Sequence, residues 1–200
     1  MKYLIGIDEA GRGPLAGPVA VGAVMVPADF DWGVLQGVRD SKKLSEKKRE
    51  EFYTRAKELE QTRVLRFTVS TSSSAYIDTS GIVPAIKRAL AEALSRFDIE
   101  PHDCRVLLDG SLRAPAEYIH QETIIRGDDT EPVISLASIM AKVTRDRLMK
   151  RLSPKYPAYA FHLHKGYGTA SHLSAIAQWG LSDIHRASFC TRLPIGSKSV

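Results

Sequence analysis

Five short stretches of the chain have the hydrophobic pattern of strands. Residues 3–8 and 19–26 are nearly continuous apolar runs joined by a glycine-rich connection, as expected of buried strands. Three further stretches are short apolar runs or alternate in polarity, and they are rich in β-branched residues. They predict strands at residues 63–69, 105–108 and 118–126.

Four longer stretches show the periodicity of helices. Ser45 is a suitable N-cap for the first of them, and Pro132 suits the first turn of the third. The predicted helices cover residues 45–59, 83–97, 132–152 and 170–179. Because strands come first and helices then alternate with strands, the order predicts an α/β sheet with a helical C-terminal portion.

Length and composition narrow the class of protein. The 200 residues suit one domain, expected over residues 1–190, with a flexible tail over residues 191–200. Cys104 and Cys190 are too few for a disulfide framework. The apolar run at residues 19–26 is far shorter than the ~20 residues of a membrane span, and the first residues do not resemble a signal peptide. We expect a soluble cytoplasmic protein.

Acidic side chains follow three of the predicted strands. Asp8 and Glu9 end the first strand, Asp109 ends the fourth, and Asp128 follows the fifth. Sites in open α/β sheets gather at strand ends, and carboxylates that converge without histidines select hard cations such as Mg²⁺ or Mn²⁺. Two such ions roughly 4 Å apart promote phosphodiester hydrolysis. The pattern therefore predicts a metal-dependent phosphodiesterase that cuts nucleic acid.

Each acid also has an ordinary structural explanation. The Asp-Gly pair at residues 109–110 is a common turn dipeptide, and Asp128 could cap a helix. Adjacent strand residues point to opposite faces of a sheet. Asp8 and Glu9 can therefore share a site only if the strand stops or kinks there, which the glycines at residues 11–13 make plausible.

Glycines and basic residues accompany the acids. The net charge of +5 and the pI of about 9.2 favour a polyanionic partner. Gly11, Arg12 and Gly13 can bring main-chain N–H groups and a guanidinium fork close to a phosphate. Lys42 and Lys43 could contact phosphate as well. Both segments could instead be ordinary loops.

The long predicted helix carries a polar stripe. Ser135, Ser138, Lys142 and Arg145 recur at helical spacing among apolar residues. This stripe could line a nucleic-acid groove, or it could be a solvated helix face. Asp146, between two arginines, is expected to form a structural ion pair.

Tyr167 lies in a basic loop flanked by glycines, at residues 164–169. A tyrosine held out on such a loop can stack on a sugar or base, although it could equally anchor the loop in the core. His162 and His164 do not indicate zinc, because no further ligand has the required spacing.

Six segments of the chain, taken in order, resemble bacterial ribonuclease HII. The first block, GIDEAGRGPLAGPV, is highly specific by itself, and the similarity extends from about residue 3 to residue 190. The matching segments are residues 6–19, 40–45, 108–110, 127–128 with 137–147, 164–169 and 185–189.

The resemblance implies a ribonuclease-H-like fold with a mixed five-stranded sheet. It implies an endonuclease that hydrolyses RNA in RNA–DNA hybrids and nicks duplex DNA on the 5′ side of a single ribonucleotide, as in ribonucleotide excision repair. Two Mn²⁺ or Mg²⁺ ions would be bound together with the substrate, and the protein would be a monomer. The 2′-hydroxyl is what distinguishes RNA from DNA at such a site.

The resemblance also implies roles for individual residues. The metal-binding catalytic acids would be Asp8, Glu9, Asp109 and Asp128. The glycine loop would sense the 2′-hydroxyl and the scissile phosphate, and Tyr167 would pack at the RNA–DNA junction. The full set of expected substrate-binding residues is Gly11, Arg12, Gly13, Lys42, Lys43, Ser138, Lys142 and Tyr167.

Three rival classes of protein can be compared with this interpretation. A non-catalytic module that binds RNA–DNA hybrids would be favoured by loss of one acid, but all four are present. Ribonuclease HIII carries an additional N-terminal domain, for which Asp8 lies too near the first residue. An integrase or resolvase is disfavoured by the Gly-Arg-Gly block.

Overall fold

The computed structural model describes residues 1–38 and 44–196. Five strands form a single sheet in the order β3-β2-β1-β4-β5. They are β1 (Tyr3–Ala10), β2 (Val19–Pro27), β3 (Arg66–Ser72), β4 (Cys104–Asp109) and β5 (Gln121–Ile124). β2 runs antiparallel to β1 and β3, whereas β1, β4 and β5 are parallel. The expected mixed five-stranded sheet is confirmed.

Helices cover both faces of the sheet and form the C-terminal portion. The helices of the described residues are α1 (Glu46–Gln61), α2 (Ser74–Ser80), α3 (Ile82–Ser95), α4 (Gly127–Thr130), α5 (Pro132–Leu152), α6 (Phe161–His164) and α7 (Ala170–Trp179). The four predicted helices are confirmed to within two residues at each end. The Ser45 hydroxyl caps α1 by accepting the Lys48 N–H at 3.2 Å, as its position in the sequence suggested.

Two predicted strands have different bounds. The strand predicted at residues 63–69 begins three residues later, because α1 continues to Gln61 and Arg63 adopts a positive φ of 59°. The strand predicted at residues 118–126 is limited to β5, because a turn precedes it and Arg126 adopts a left-handed conformation after it. β-branched composition located both strands, but the turns that bound them set their ends.

The helix α5 crosses the sheet at very short range. A Cβ atom on Gly6 would lie 2.3 Å from the Val133 carbonyl, and one on Gly22 would lie 2.3 Å from the Ala137 carbonyl oxygen. Glycine at these two positions lets helix and sheet approach each other closely. Because α5 packs on the face of β1 that bears Asp8, its middle turns lie over the end of the central strand.

The opposite face of the sheet packs on α3 through an apolar cluster that includes Ile5, Ile7 and Leu90. None of the described helices combines the length and the apolar composition of a membrane span. Two contacts join the expected tail to the domain. Leu193 packs against an apolar cluster that includes Tyr159, Phe161 and Ile176, and the Gly196 N–H donates to the Ile176 oxygen at 3.1 Å. Residues 197–200 lie outside the described residues.

Candidate nuclease site

The predicted acids gather at one edge of the sheet. β1, β4 and β5 are parallel, so their carboxyl ends lie at the same edge. Asp8 lies on the α5 side of β1, where it is buried, and Asp109 ends the adjacent strand β4. With Glu9 they line a cleft of about 490 Å³. Folding thus brings together residues about 100 positions apart in the chain.

Of the two expectations for β1, a stop at Asp8 is wrong, and a kink there stays a prediction. The strand continues to Ala10 and stays paired with β2 up to that residue. Its pairing with β4 stops earlier, at Ile7 opposite Leu108. Because β1 extends beyond its neighbour, Asp8 and Glu9 both reach the cleft without a break in the strand.

The sequence context of Asp128 suggested a position at a strand end, but the structure places this residue elsewhere. It lies in the short helix α4, after the left-handed Arg126, and it is fully buried. Its N–H donates to the Asp109 Oδ1 at 3.3 Å, which connects it to the other acids. The helix-start alternative holds for a different helix: Asp128 and Asp129 lie in the first turn of α4, whereas the N-cap of α5 is Glu131.

The Asp8 carboxyl is in a crowded environment. Burial raises its pKa well above its usual range, hydrogen bonds from the Ser138 hydroxyl and the Glu9 N–H lower it, and the charges of Glu9 and Asp109 raise it. A buried acid beside two other acids is costly unless a cation joins them. The cleft therefore has the electrostatic character of a cation site.

The donor chemistry of this edge fits a hard divalent cation. The acids offer only oxygen donors, which Mg²⁺ and Mn²⁺ prefer. Among the described residues, no group of three acidic, histidine or cysteine side chains forms a metal cage by itself. Mg²⁺ does not need one, because it commonly takes one or two carboxylates and completes its shell with water and substrate phosphate.

The glycine loop forms the adjacent wall of the cleft, as predicted. Gly11, Arg12 and Gly13 all line it. Gly11 has a φ of +87°, and a Cβ atom there would lie 2.0 Å from the Arg145 Nε, so this position requires glycine. The Arg12 guanidinium is half exposed and lies 3.2 Å from the Glu9 carboxylate. Lys42 and Lys43 lie outside the described residues.

The polar stripe of α5 divides into two parts. Ser138 and Lys142 line the cleft as predicted, and Lys142 forms the expected ion pair with Asp146 at 3.0 Å. Ser135 and Arg145 are fully buried instead. The Ser135 hydroxyl donates to the Asp128 carbonyl, which fastens α4 to α5. Neither a continuous groove lining nor a solvated helix face describes this stripe.

Tyr167 lines the cleft and is 41% exposed, so the core-anchor alternative is wrong. Its ring lies 5.3 Å from the Lys142 Nζ, within range of a cation–π contact. The loop behind it is fixed by a buried chain of imidazoles. The His185 Nε2 lies 3.0 Å from the His172 Nε2, and the His172 Nδ1 lies 2.9 Å from the Tyr167 carbonyl oxygen.

Three arginines near the site were not identified from the sequence. Arg49 of α1 lines the cleft. Arg145 was placed on the polar stripe of the long helix and Arg186 carried no local signal, yet both are fully buried behind the glycine loop.

Comparisons with known proteins show what the chain is similar to. The sequence model of the family described as Ribonuclease HII matches residues 5–192. The chain is 47% identical over 188 residues to a ribonuclease HII of Ruminiclostridium cellulolyticum, covering 94% of this chain and 70% of the relative. A ribonuclease HII of Bacillus anthracis is also 47% identical, over 189 residues, covering 94% and 69% of the two chains.

Solved structures show the same architecture. Ribonuclease HII from the PCNA complex of Archaeoglobus fulgidus superposes with a TM-score of 0.76 at 26% identity, covering 98% of each chain. Bst-RNase HIII in complex with Mn²⁺ superposes with a TM-score of 0.65. It covers 96% of this chain and 63% of that one at 18% identity, so this second likeness concerns the fold alone.

Proposed function

The chain belongs to the ribonuclease HII family of metal-dependent type 2 ribonucleases H, and on this premise we propose which substrate and which residues its endonuclease reaction uses. The substrates are RNA–DNA hybrids and duplex DNA that contains a single ribonucleotide. The enzyme cuts on the 5′ side of the ribonucleotide and leaves 3′-hydroxyl and 5′-phosphate ends. The observation that carries this proposal is the meeting of Asp8, Glu9 and Asp109 in one cleft beside the glycine loop.

The metal ligands in this proposal are Asp8, Glu9, Asp109 and Asp128. They would hold two Mn²⁺ or Mg²⁺ ions when substrate is present, with phosphate oxygens and water completing the coordination. Bound there, the ions would supply a nucleophilic hydroxide at neutral pH and stabilise the leaving oxygen. The Asp109–Asp128 contact keeps the acids of β4 and α4 at a fixed separation.

The remaining residues bind and orient the nucleic acid. Arg12, held beside Glu9, contacts the scissile phosphate, and the main chain of the glycine loop contacts the 2′-hydroxyl. Lys142 and Ser138 face the same cleft from α5, and Tyr167 stacks on the sugar or base at the RNA–DNA junction. Lys42 and Lys43 would add phosphate contacts.

The test is a nicking assay with purified protein on a DNA duplex that contains one ribonucleotide, run separately with Mg²⁺ and Mn²⁺. We expect one cut on the 5′ side of the ribonucleotide and no cut in the matched all-DNA duplex. A wild type that leaves the ribonucleotide duplex intact in both metals contradicts the proposal. Tight binding without any cut would instead support the non-catalytic hybrid-binding module.

A further inference from the structure

Two arginine side chains are buried side by side behind the glycine loop. Arg145 and Arg186 are both 0% exposed, and neither forms an ion pair with a carboxylate in the part of the chain that the structure describes. Burial lowers the pKa of Arg186 to about 9, and the charge of Arg145 adds to that effect. Both guanidiniums remain charged at neutral pH, so the fold keeps two like charges together at a cost in stability.

Main-chain carbonyls compensate this cost. The Arg186 guanidinium donates to the carbonyl oxygens of Gly11 at 2.7 Å, Arg12 at 2.9 Å and Gly17 at 3.0 Å. Arg145 donates to those of Pro18 at 2.8 Å, Lys165 at 3.0 Å and Ala16 at 3.1 Å. The pair thereby ties residues 11–18 to the loop that presents Tyr167. These hydrogen bonds therefore hold the two loops that line the cleft, the glycine loop and the Tyr167 loop.

The direction of the Arg186 bonds determines what the glycine loop presents to the cleft. In a trans peptide the C=O and the following N–H point in opposite directions. Because Arg186 draws the Gly11 and Arg12 carbonyls inward, the N–H groups of Arg12 and Gly13 are turned outward. Neither N–H donates to another group among residues 1–38 and 44–196. Gly13 lines the cleft, and a Cβ atom on it would meet nothing within 4 Å, so a ligand in the cleft can approach this residue.

We propose that Arg186 is a positioning residue for ribonucleotide cleavage, which fixes the Arg12 and Gly13 N–H groups as a preformed donor pair for an oxygen of the substrate at the scissile position. Arg145 supports it from the side of the Tyr167 loop. This inference rests on the proposed function, because the oxygen concerned belongs to a nucleic acid in the cleft. Preformed donors act without reorganisation during the reaction, so their loss affects the turnover rate more than ground-state binding.

The test compares Arg186→Lys with the wild type. Lysine keeps the positive charge, but its single nitrogen cannot reproduce the guanidinium fork on three carbonyls. Arg66→Lys is the matched control. Arg66 also donates to main-chain carbonyls, those of Arg96 and Phe97, and packs over the Phe97 ring, but it lies on the edge strand β3.

Three measurements are made on each variant: kcat and KM on the single-ribonucleotide duplex, affinity for the all-DNA duplex, and the ¹⁵N-glycine amide spectrum. For Arg186→Lys we expect kcat to fall by about 30- to 100-fold, since a misplacement of ~1 Å costs that much. KM and all-DNA binding should change by less than about threefold, because the loop is displaced but still present. The Gly13 amide signal should move, and Arg66→Lys should leave all three unchanged.

An unchanged kcat together with an unmoved Gly13 signal would overturn the proposal. A purely structural role would lower activity and all-DNA binding together, in proportion to the unfolded fraction seen by thermal melting. If the wild type does not nick the ribonucleotide duplex, the proposed function fails, and the Gly13 signal still tests the positioning role.

If Arg186→Lys does not fold, Phe189→Leu replaces it, because the Phe189 ring lies 5.1 Å from the Arg186 guanidinium. That variant should lower kcat by roughly threefold or more, and an unchanged kcat and Gly13 signal there would refute the role.

Discussion

A pair of arginines lies on one side of the glycine loop, and a group of carboxylates lies on the other. The two groups differ in the hydrogen-bond partners that the fold supplies for their charges. In the arginine pair, Arg145 and Arg186, each hydrogen bond described above is accepted by a main-chain carbonyl oxygen. Asp8 accepts one main-chain N–H and one hydroxyl and is otherwise faced by further acids. The difference indicates that the fold itself completes the arginine pair, whereas the acidic edge is completed by a ligand.

The largest expected effect is on the acidic side. Asp8→Asn should lower nicking by more than about 1000-fold, because it removes a ligand from a group that acts as a unit. The variant should also melt higher than the wild type, because it removes a buried charge beside Glu9 and Asp109. A gain of about 1 kcal/mol corresponds to roughly 2–4 °C in a chain of this size.

Mn²⁺ provides the control for this variant. The ion should raise the melting temperature of the wild type by linkage, and it should do so much less for Asp8→Asn. A variant that loses activity but still gains the full Mn²⁺ shift would show that Asp8 is not a metal ligand.

The next effect is on the arginine side. Arg145→Met should cost roughly 3–5 kcal/mol of unfolding free energy, because three buried carbonyls lose their donor. Arg147→Met, two residues further along the same helix, removes an exposed arginine paired with Glu50 and should cost less than about 1 kcal/mol. Urea denaturation measures both. Equal losses of unfolding free energy would mean that the hydrogen bonds from Arg145 to carbonyls stabilise the protein no more than the exposed Arg147 ion pair does.

The histidines behind the Tyr167 loop should make stability depend on pH. Burial lowers the pKa of His172 and His185 to about 4 in the folded protein. The unfolded chain, with histidine pKa values near 6.5, takes up protons first as the pH falls, so stability is lost between pH 6.5 and pH 4. From pH 6.5 to pH 5 the loss should be on the order of 1.5 kcal/mol per histidine.

The matched pair for this experiment is His172→Gln and His102→Gln, since the His102 side chain is 69% exposed. His172→Gln should flatten the pH dependence of the urea midpoint, and His102→Gln should not. Identical slopes in both variants would remove the histidine chain as the cause.

The smallest expected effect on stability is that of Tyr167→Ala. Loss of one stacking platform should weaken cutting by about 1–3 kcal/mol in kcat/KM. The melting temperature should hardly change, because Tyr167 is 41% exposed and its contact with His172 is made through its main-chain carbonyl, which the variant keeps. Tyr167→Phe should retain most of the activity. A melt that falls as far as activity does would return this residue to a structural role.

Hydrophobic periodicity was sufficient for most of the fold. The helix predicted at residues 132–152 has those bounds in the structure, because Pro132 and the apolar repeat are local signals. The strand starting at Arg66 was displaced in the prediction, because its beginning depends on how α1 ends. Local patterns locate elements well, and turn geometry decides their limits.

The candidate site was predicted less evenly. Asp8, Glu9 and Asp109 could be recognised because acids at the ends of apolar strands are unusual, and the block resemblance supported them. Arg145 and Arg186 could not, because their partners are main-chain carbonyls distant in the chain. A sequence pattern records side-chain types and is silent about carbonyl oxygens, so this kind of contact becomes visible only in three dimensions.

The two glycines beneath α5 have a consequence for how the cleft can change. The backbone of α5 lies in direct van der Waals contact with Gly6 and Gly22, so the helix cannot move any closer to the sheet. We therefore expect the floor of the cleft, on β1, and its roof, at Ser138 and Lys142, to move together as one rigid unit. A duplex that enters would then have to adapt its own backbone to the cleft, and we expect the stiffness of the nucleic acid to contribute to substrate selection.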